Sequence, residues 1–468
     1  MEKNTPLLAK PAYYDQFTCI ADRCTITCCQ EWKISIDTAT NLSWKRLLPP
    51  DGMAKSRKNL SSYTEKKDGQ RIIRLDENHR CPFLSDKRLC RLVTAYGDSV
   101  LSDTCTTFPR EFHDFKTHRE AMLMPCCPAV IDLWKDEPIV FPEIFCNSSE
   151  YTDNVFDNKL SIDVSSPVVS SPAASSQETT TYINMFRIRN NIIRLLQNQA
   201  VSIEEALLES FYILQELYRQ PAVTEALVDE YFSAASLQAL KNAIDDVDLP
   251  VSDTISECNE LLQDLAVNYM AEGLYSDFLT PLIDKAELVS DMPHDKLVNL
   301  EYCYTSVLNS LSTSNGINTC DTLNTGIARQ SSNVVDSYTT LFRNFLTNEI
   351  FSDLFMPDDN LEDMLLHMEW IAIEYAAIRH SLFLSRLDMN SYSQNLSVES
   401  DIKPGAALNA AHVNKIISDY ETIRQHIVIL SRMTGYENDD IYEYLENSFE
   451  APIWDWGYFA LIVGKANG

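Results

Sequence analysis

Cysteine is the residue type whose spacing most directly suggests chemistry in this sequence. The chain of 468 residues contains 13 cysteines, and ten of them precede residue 150. These ten are Cys19, Cys24, Cys28, Cys29, Cys81, Cys90, Cys105, Cys126, Cys127 and Cys146. Thiolates are the usual ligands of iron–sulfur clusters and of structural zinc, and clustered thiols of a reducing compartment more often bind metal than form disulfides. The distribution therefore predicts a metal centre that connects the N-terminal third of the chain.

The spacing of these thiols leaves the kind of metal open. Cys19, Cys24 and Cys28 are separated by four and three residues, and Cys81 and Cys90 by eight. The pattern matches neither a CxxC…CxxC zinc ribbon nor the bacterial ferredoxin run, and the radical S-adenosylmethionine spacing is absent. Spacing alone thus predicts a metal centre without separating zinc from an iron–sulfur cluster.

Some thiols and imidazoles near this centre are weaker ligand candidates. Cys28 and Cys29 would point to opposite sides of an extended backbone, so we expect one of them at most to bind a given ion unless a tight turn intervenes. His79, His113 and His118 could add nitrogen ligands, although such histidines are more often surface residues or neighbours of ligands. The remaining cysteines are expected to be small buried apolar side chains: Cys258, Cys303 and Cys320.

Charge is distributed as unevenly as cysteine. Residues 1–150 carry 21 basic and 21 acidic side chains, so the formal net charge of −30 belongs to the remainder of the chain. A surface this acidic argues against nucleic acid as a partner and would attract a lysine-bearing protein, although it also favours solubility alone. The N-terminal residues lack an apolar signal segment and no run approaches 18 apolar residues, so we expect a cytoplasmic protein without a membrane partner.

The cysteines must be positioned by short elements. Residues 32–36 and 71–75 alternate apolar and polar side chains and predict two short strands, and residues 49–52 predict a turn. Elements this short bury little apolar surface, so a region built from them needs additional stabilisation, for example by a bound metal. A segment rich in Ser, Thr and Pro, residues 164–181, predicts a linker.

The chain beyond residue 181 shows helical periodicity almost throughout. Ser202 and Glu205 form a capping box that opens a helix to about residue 219. Further helices are predicted at 182–197, 223–247, 252–274, 294–311, 332–355, 361–388 and 410–434. We therefore predict a mainly α protein: a cysteine-rich, loop-rich metal-binding domain at 1–150, a linker at 151–181, and an acidic α-helical bundle of about eight helices at 182–468.

The cysteine segments, taken together, resemble the flagellin lysine-N-methylase family of the FliB type. That family is itself similar to small cysteine-rich proteins described as zinc- or iron-chelating. The resemblance rests on four stretches in order: Cys19–Trp32, Arg80–Cys90, Tyr96–Arg110 and Met124–Ala129. Weaker similarity is found in helical segments at Phe342–Leu346, Tyr375–Arg379 and Arg424–His426. The family segment before Pro128 usually has one cysteine, which Cys127 matches, so Cys126 is an addition.

The resemblance implies an enzyme that transfers a methyl group from S-adenosylmethionine to lysines of flagellin and depends on a [4Fe-4S] cluster, with zinc as the alternative metal. It implies metal ligands among Cys19, Cys24, Cys28, Cys29, Cys81, Cys90, Cys105 and Cys127. No G-x-G-x-x-G, G-x-x-x-x-G-K-[ST], G-x-S-x-G or H-E-x-x-H pattern is present. A non-catalytic, metal-stabilised adaptor or chaperone is therefore the alternative function, and a redox protein is a third. Tyr375 and His426 are weak candidates for the general base, and the methyl-donor site is not predicted.

Overall fold

The computed structural model describes most of the chain. The described residues are 7–53, 57–67, 69–147, 159–163, 176–312, 338–387, 420–435, 438–449 and 451–465. The strands are β1 (Leu7–Ala9), β2 (Thr64–Lys67), β3 (Gln70–Ile73), β4 (Arg110–Asp114), β5 (His118–Leu123), β6 (Glu143–Asn147) and β7 (Lys159–Asp163). The N-terminal helices are α1 (Thr38–Trp44), α2 (Arg91–Tyr96), α3 (Asp103–Thr107) and α4 (Pro128–Trp134).

The rest of the described chain is helical. Its helices are α5 (Ser176–Gln197), α6 (Ile203–Tyr218), α7 (Glu225–Tyr231), α8 (Ala234–Asp245), α9 (Val251–Ala271), α10 (Ser276–Ser290), α11 (His294–Leu297), α12 (Glu301–Ser312), α13 (Thr339–Ser352), α14 (Leu361–Arg386), α15 (Tyr420–Met433), α16 (Asn438–Ser448) and α17 (Trp456–Val463). None of these described helices combines the length and the apolar character needed to cross a bilayer.

Short strands form three small sheets. β5 is the central strand of the largest, with β1 parallel on one side and β4 antiparallel on the other. β2 and β3 form an antiparallel hairpin, and β6 pairs in parallel with β7. None of these sheets is large enough to have a core of its own, so each depends on packing against other elements.

The cysteine-rich segment has a separate small core. Trp44, Leu60, Phe83 and Leu92 are buried together there, and Cys81 is packed among them. The Trp44 indole Nε1 donates a hydrogen bond of 2.8 Å to the carbonyl of Val100, which connects α1 to the segment before α3. This core gives the loops between residues 32 and 105 a defined arrangement.

The large core joins β1, β5 and α4 to the helices. α14 lies at its centre and is buried on all sides, as expected for a helix surrounded by α6, α9, α15 and α17. The side chain of Asn344 on α13 accepts a hydrogen bond from the Ile139 amide (3.0 Å) and donates one to the Trp134 carbonyl (2.7 Å). Polar side chains of the helical part therefore fix the segment that follows α4.

The mainly α prediction is confirmed, whereas several predicted boundaries are wrong. Residues 32–36 form no strand and contribute a single bridge, between Ser35 and Ile72, because the chain turns directly into α1. The segment 223–247 is two helices, broken at Phe232 and Ser233, where Ser233 caps α8.

The number of helices exceeds the prediction. The described part contains 13 helices after residue 175, because α10, α16 and α17 were not predicted and the segments 223–247 and 294–311 each form two helices. α5 begins at Ser176, inside the predicted linker. β7 also lies inside the predicted linker 151–181, whose residues 151–158 and 164–175 lie outside the described residues. The division of the chain into domains stays a prediction.

Candidate metal centre and active site

A tight turn brings the sulfur atoms of Cys28 and Cys29 together. The Cys29 amide donates to the Thr27 hydroxyl (3.2 Å), and the Trp32 indole donates to the Cys28 carbonyl (2.6 Å). Because the backbone turns here, the thiols do not point to opposite sides. A hydrogen bond from the Cys29 thiol lowers the pKa of Cys28 to about 7. Both sulfurs are therefore available to one centre.

Two later segments bring further thiols to this turn. The Cys81 amide donates to the Cys29 carbonyl (2.8 Å), and the backbone of Cys90 pairs with that of Leu84. Cys105 lies in the first turn of α3, where its amide donates to the Ser102 hydroxyl (3.3 Å). Burial raises the pKa of the Cys105 thiol to about 11 and raises that of Cys81 further.

Cys28 is at the centre of the resulting thiol cluster, as the mutual electrostatic effects of these side chains show. Its charge raises the pKa of its neighbours Cys24, Cys29, Cys81, Cys105 and Cys127. Cys90 acts in the same way on Cys81 and Cys105. Cys19 is exposed and influences only Cys24 in this set. Seven of the eight cysteines predicted as metal ligands therefore lie within electrostatic range of Cys28 or of its neighbours, with Cys19 at the edge.

The side-chain types of this cluster are those that either of the predicted metals takes. The cysteines whose side chains are described are free thiols, which is what zinc and iron–sulfur sites need. Within the described residues, no group of three or more Cys, His, Asp or Glu side chains is arranged so that it could hold a metal ion. The identity of the metal and of its ligands stays a prediction.

Two of the three histidines that were weaker ligand candidates, His113 and His118, have carboxylate neighbours. The His79 carbonyl accepts a hydrogen bond from the Glu31 amide (2.8 Å), and His79 has a left-handed backbone with φ of 53°. His113 lies on β4 with its Nε2 3.4 Å from a Glu111 carboxylate oxygen, and His118 lies on β5 with its Nε2 3.0 Å from Glu120.

Arg432 on α15 connects the helical part to the thiol cluster. Its guanidinium donates to the carbonyl groups of Ile26 (3.0 Å), Thr27 (3.3 Å) and Cys126 (3.1 Å). It also lies over the ring of Trp32, 5.4 Å from the centroid. The positive charge lowers the pKa of Cys28 and opposes the rise at Cys126. Arg432 therefore both fixes the cysteine turn and favours thiolates within it.

A second arginine of α15 reinforces this connection. Arg424 forms an ion pair with Asp132 of α4 (2.8 Å), and its guanidinium donates to the Thr25 hydroxyl (3.2 Å). The Thr25 hydroxyl donates in turn to Glu421 (2.9 Å), and the Tyr420 hydroxyl donates to Asp132 (2.7 Å). One face of α15 thus contacts the first cysteine segment and α4 together.

A cavity of about 480 Å³ lies beside the thiol cluster. Its wall is formed by β5 and the following segment to Cys126, the end of α13, the middle of α14 and the end of α15. Cys126 lines this cavity, whereas Cys127 next to it belongs to the thiol cluster. The additional cysteine of the sequence therefore faces the cavity. The volume is in the range of small-molecule binding sites.

Three carboxyl groups make this cavity chemically unusual. Glu349 and Glu374 are buried in its wall, and Asp353 is partly accessible. Burial and mutual repulsion raise the pKa of Glu349 well above its ordinary value, and burial also raises that of Glu374. Burial and the charge of Glu111 raise the pKa of Asp353 to about 7. Carboxyl groups this close keep a proton between them and attract a cation.

The fully buried arginines do not neutralise this cavity. Arg189 pairs with Glu120, and Arg379 pairs with Glu204 at 3.3 Å. Ion pairs of this kind bury charge that is already compensated. The cavity carboxyl groups differ because their neighbours in the described part of the chain are other acids, hydroxyls, His113 and the side-chain amide of Asn348, which donates to Glu349 (3.1 Å).

Sequence reasoning missed the cavity acids and proposed two residues that lie elsewhere. Tyr375 is fully buried and donates to Glu204 (2.8 Å). His426 pairs with Ser381 (2.7 Å), and burial lowers its pKa to about 3, so it is neutral. Neither residue lines the cavity. Glu374 lies between apolar residues in the sequence. An acidic residue at such a position was the signal that could have identified it as a candidate site residue.

Comparison with known proteins gives three matches and a family. The sequence profile of the FliB lysine N-methylase C-terminal domain matches residues 189–462, more than half of the chain. The flagellar biosynthetic protein FliU of Salmonella muenchen is 30% identical over 138 residues, which cover 28% of this chain and 78% of that protein. No solved structure matches the chain.

The other two matches are proteins longer than the FliU protein. Each is a lysine-N-methylase, from Salmonella typhimurium and from Salmonella choleraesuis, that is 30% identical over 138 residues, or 28% of this chain. The matched part spans 33% of the length of either relative.

Proposed function

The chain belongs to the FliB lysine N-methylase family, and from this premise we propose that it transfers methyl groups from S-adenosylmethionine to lysine side chains of flagellin. The names of the Salmonella relatives support a lysine methylase with a flagellar role. The acidic helical part supports a lysine-bearing protein as substrate, because opposite charges steer the two proteins together. The observation that supports a reaction site is the cavity of about 480 Å³ with its buried carboxyl groups.

The reaction requires a base. A lysine arrives as an ammonium group, which has no lone pair, and it must lose a proton before the nitrogen attacks the methyl carbon of the sulfonium. A carboxylate of the cavity takes this proton. The new N–C bond forms as the C–S bond breaks, the electron pair of that bond stays on sulfur, and the products are a methylammonium group and a neutral thioether.

Asp353 is the best candidate for this base. Its pKa of about 7 and its partial accessibility allow it to be ionised and to reach a ligand. The ordinary lysine pKa of about 10.4 makes the transfer unfavourable by about 5 kcal/mol in water. Desolvation of the ammonium group and a nearby sulfonium charge both lower the lysine pKa and reduce this cost. The two positive charges that enter would favour ionisation of Glu349 and Glu374, whose pKa values burial raises.

The thiol cluster is the proposed site of the [4Fe-4S] cluster, with zinc as the alternative. The ligands would come from the thiols around Cys28, and Arg432 would offset part of their negative charge. When bound, the metal centre would hold the cysteine turn rigid beside Cys126 and so fix one wall of the cavity. Anaerobic purification followed by iron, zinc and sulfide analysis tests this assignment.

The variant Asp353→Asn tests the proposed base. We expect the rate of methyl transfer from labelled S-adenosylmethionine to flagellin to fall roughly 100-fold or more, the usual contribution of a general base. The rate of the unchanged protein should rise with pH around 7, as Asp353 ionises, and the variant should lose this rise.

Glu209→Gln is the matched control, because the pKa of Glu209 is also raised by burial, to about 8, while Glu209 is not part of the cavity. Its rate and pH profile should stay unchanged. A full rate with the normal profile in Asp353→Asn would reject the base. Protein that binds flagellin but neither binds nor consumes the methyl donor would favour the adaptor function.

A further inference from the structure

A second, larger cavity lies on the other side of α16. It has a volume of about 770 Å³ and is a groove between the outer face of α9 and the segment from Tyr444 to Tyr458. We call it the α9–α16 groove. The acidic residues that line it are Glu257, Glu260, Asp264 and Asp455. The described lining residues include no Lys, Arg or His, so the groove presents uncompensated negative charge.

Aromatic rings form the floor of the groove. The ring centroids of Phe449 and Trp454 are 4.9 Å apart, and those of Trp454 and Tyr458 are 4.9 Å apart, with the latter two nearly perpendicular. The hydroxyl of Tyr444 donates to Asp264 (2.7 Å), which holds that ring at the side of the groove. Aromatic faces beside carboxylates bind ammonium groups through cation–π and charge interactions.

The side chain of Trp454 forms a buried part of the groove wall and is only 4% exposed. The backbone of Trp454 is fixed, since its amide donates to Glu369 (2.8 Å) and its carbonyl accepts from Gln215 (2.7 Å). The indole Nε1 has almost no exposed surface, so Trp454 contributes its ring to the wall.

The groove and the smaller cavity share a wall. Trp370 lines the smaller cavity and packs edge-to-face on Tyr444 of the groove, with ring centroids 5.2 Å apart. On α16, Ile441 lines the cavity and Tyr444, one turn later, lines the groove. A chain bound in the groove is therefore next to the cavity that holds Asp353.

We propose that the α9–α16 groove binds an extended, lysine-bearing segment of the protein substrate, beside the lysine that is methylated. The carboxylates and rings accept an ammonium group of the segment. That the bound segment belongs to the methylated protein rests on the proposed function. The binding of a lysine-bearing segment does not.

The double variant Glu260→Gln/Asp264→Asn tests the charge of the groove. The probe is a short fluorescein-labelled peptide with lysines in a Gly/Ser background, measured by anisotropy on the full chain without methyl donor. We expect the dissociation constant to rise about ten-fold, and the affinity of the unchanged protein to fall with added salt. In the methylation assay the variant should raise KM for the protein substrate and leave kcat unchanged.

The matched control is Asp284→Asn/Glu287→Gln on α10, which removes two exposed acids outside the groove. This control variant should leave peptide affinity nearly unchanged. A peptide with norleucine in place of lysine should fail to bind.

The outcomes separate the two proposals. Equal affinity and KM in the groove variant and the control would overturn the groove proposal and leave the methyltransferase intact. Groove-dependent peptide binding by a protein that transfers no methyl group would retain the groove and reject the proposed function. Tighter binding of trimethyllysine than of lysine peptide would replace substrate docking by product retention.

Discussion

The substitution Arg432→Lys tests whether α15 holds the cysteine turn in place. The guanidinium makes three hydrogen bonds to carbonyl groups, of Ile26, Thr27 and Cys126, and one cation–π contact with Trp32. Each bond to a charged donor contributes roughly 1.5–3 kcal/mol, and a lysine ammonium cannot reach carbonyls on three sides. We expect Arg432→Lys to destabilise the turn locally by about 3 kcal/mol.

Hydrogen exchange followed by mass spectrometry measures this effect. Amides of residues 24–29 should exchange about 100-fold faster in the variant, while α14 keeps its protection. Arg194→Lys is the control, because Arg194 forms an exposed ion pair with Glu143 (2.7 Å) and should cost less than about 1 kcal/mol. Unchanged exchange of the turn in Arg432→Lys would refute the role given to this arginine.

Two further predictions concern stability. The pKa of Glu369 is raised to about 9 by burial, so the folded state keeps a proton that the unfolded chain releases near pH 4.5, and the resulting stability is lost as pH rises toward 9. Glu369→Gln should remove this dependence and raise the free energy of unfolding at pH 8 by about 1–3 kcal/mol, which urea unfolding between pH 5 and 9 measures. A parallel pH dependence in the variant would contradict this. Ser202→Ala removes the hydroxyl that accepts from the Glu205 amide (3.0 Å) and should cost about 1 kcal/mol in the same assay. No change would show that α6 does not need this cap.

The sequence predicted those features that leave a local signal. Helical periodicity identified α14, and the cap at Ser202 placed the start of α6 within one residue. The strand expected at 32–36 was wrong, because its alternating side chains pack into a small core next to a turn rather than onto a sheet. Alternation over five residues does not distinguish these two situations.

The candidate site was predicted only in part, for a physical reason. The spacing of thiols pointed to Cys28 and its neighbours, because several cysteines in one segment indicate a shared role such as metal binding. Glu349 and Glu374 gave no such spacing signal, since their properties depend on their proximity in the fold and they lie on different helices. The same is true of Arg432, whose acceptors are carbonyl groups that any sequence provides.

The position of Arg432 has a consequence for the order in which the protein is completed. It is separated in sequence by 405 residues from Thr27, which it holds. A ribosome that adds roughly 5–20 residues per second needs about 20–80 s to synthesise this interval. During that time the earliest thiols have been made but lack the arginine that fixes their turn. The nascent cysteine segment is therefore open to oxidation, or to metal loading, before the helical part closes over it.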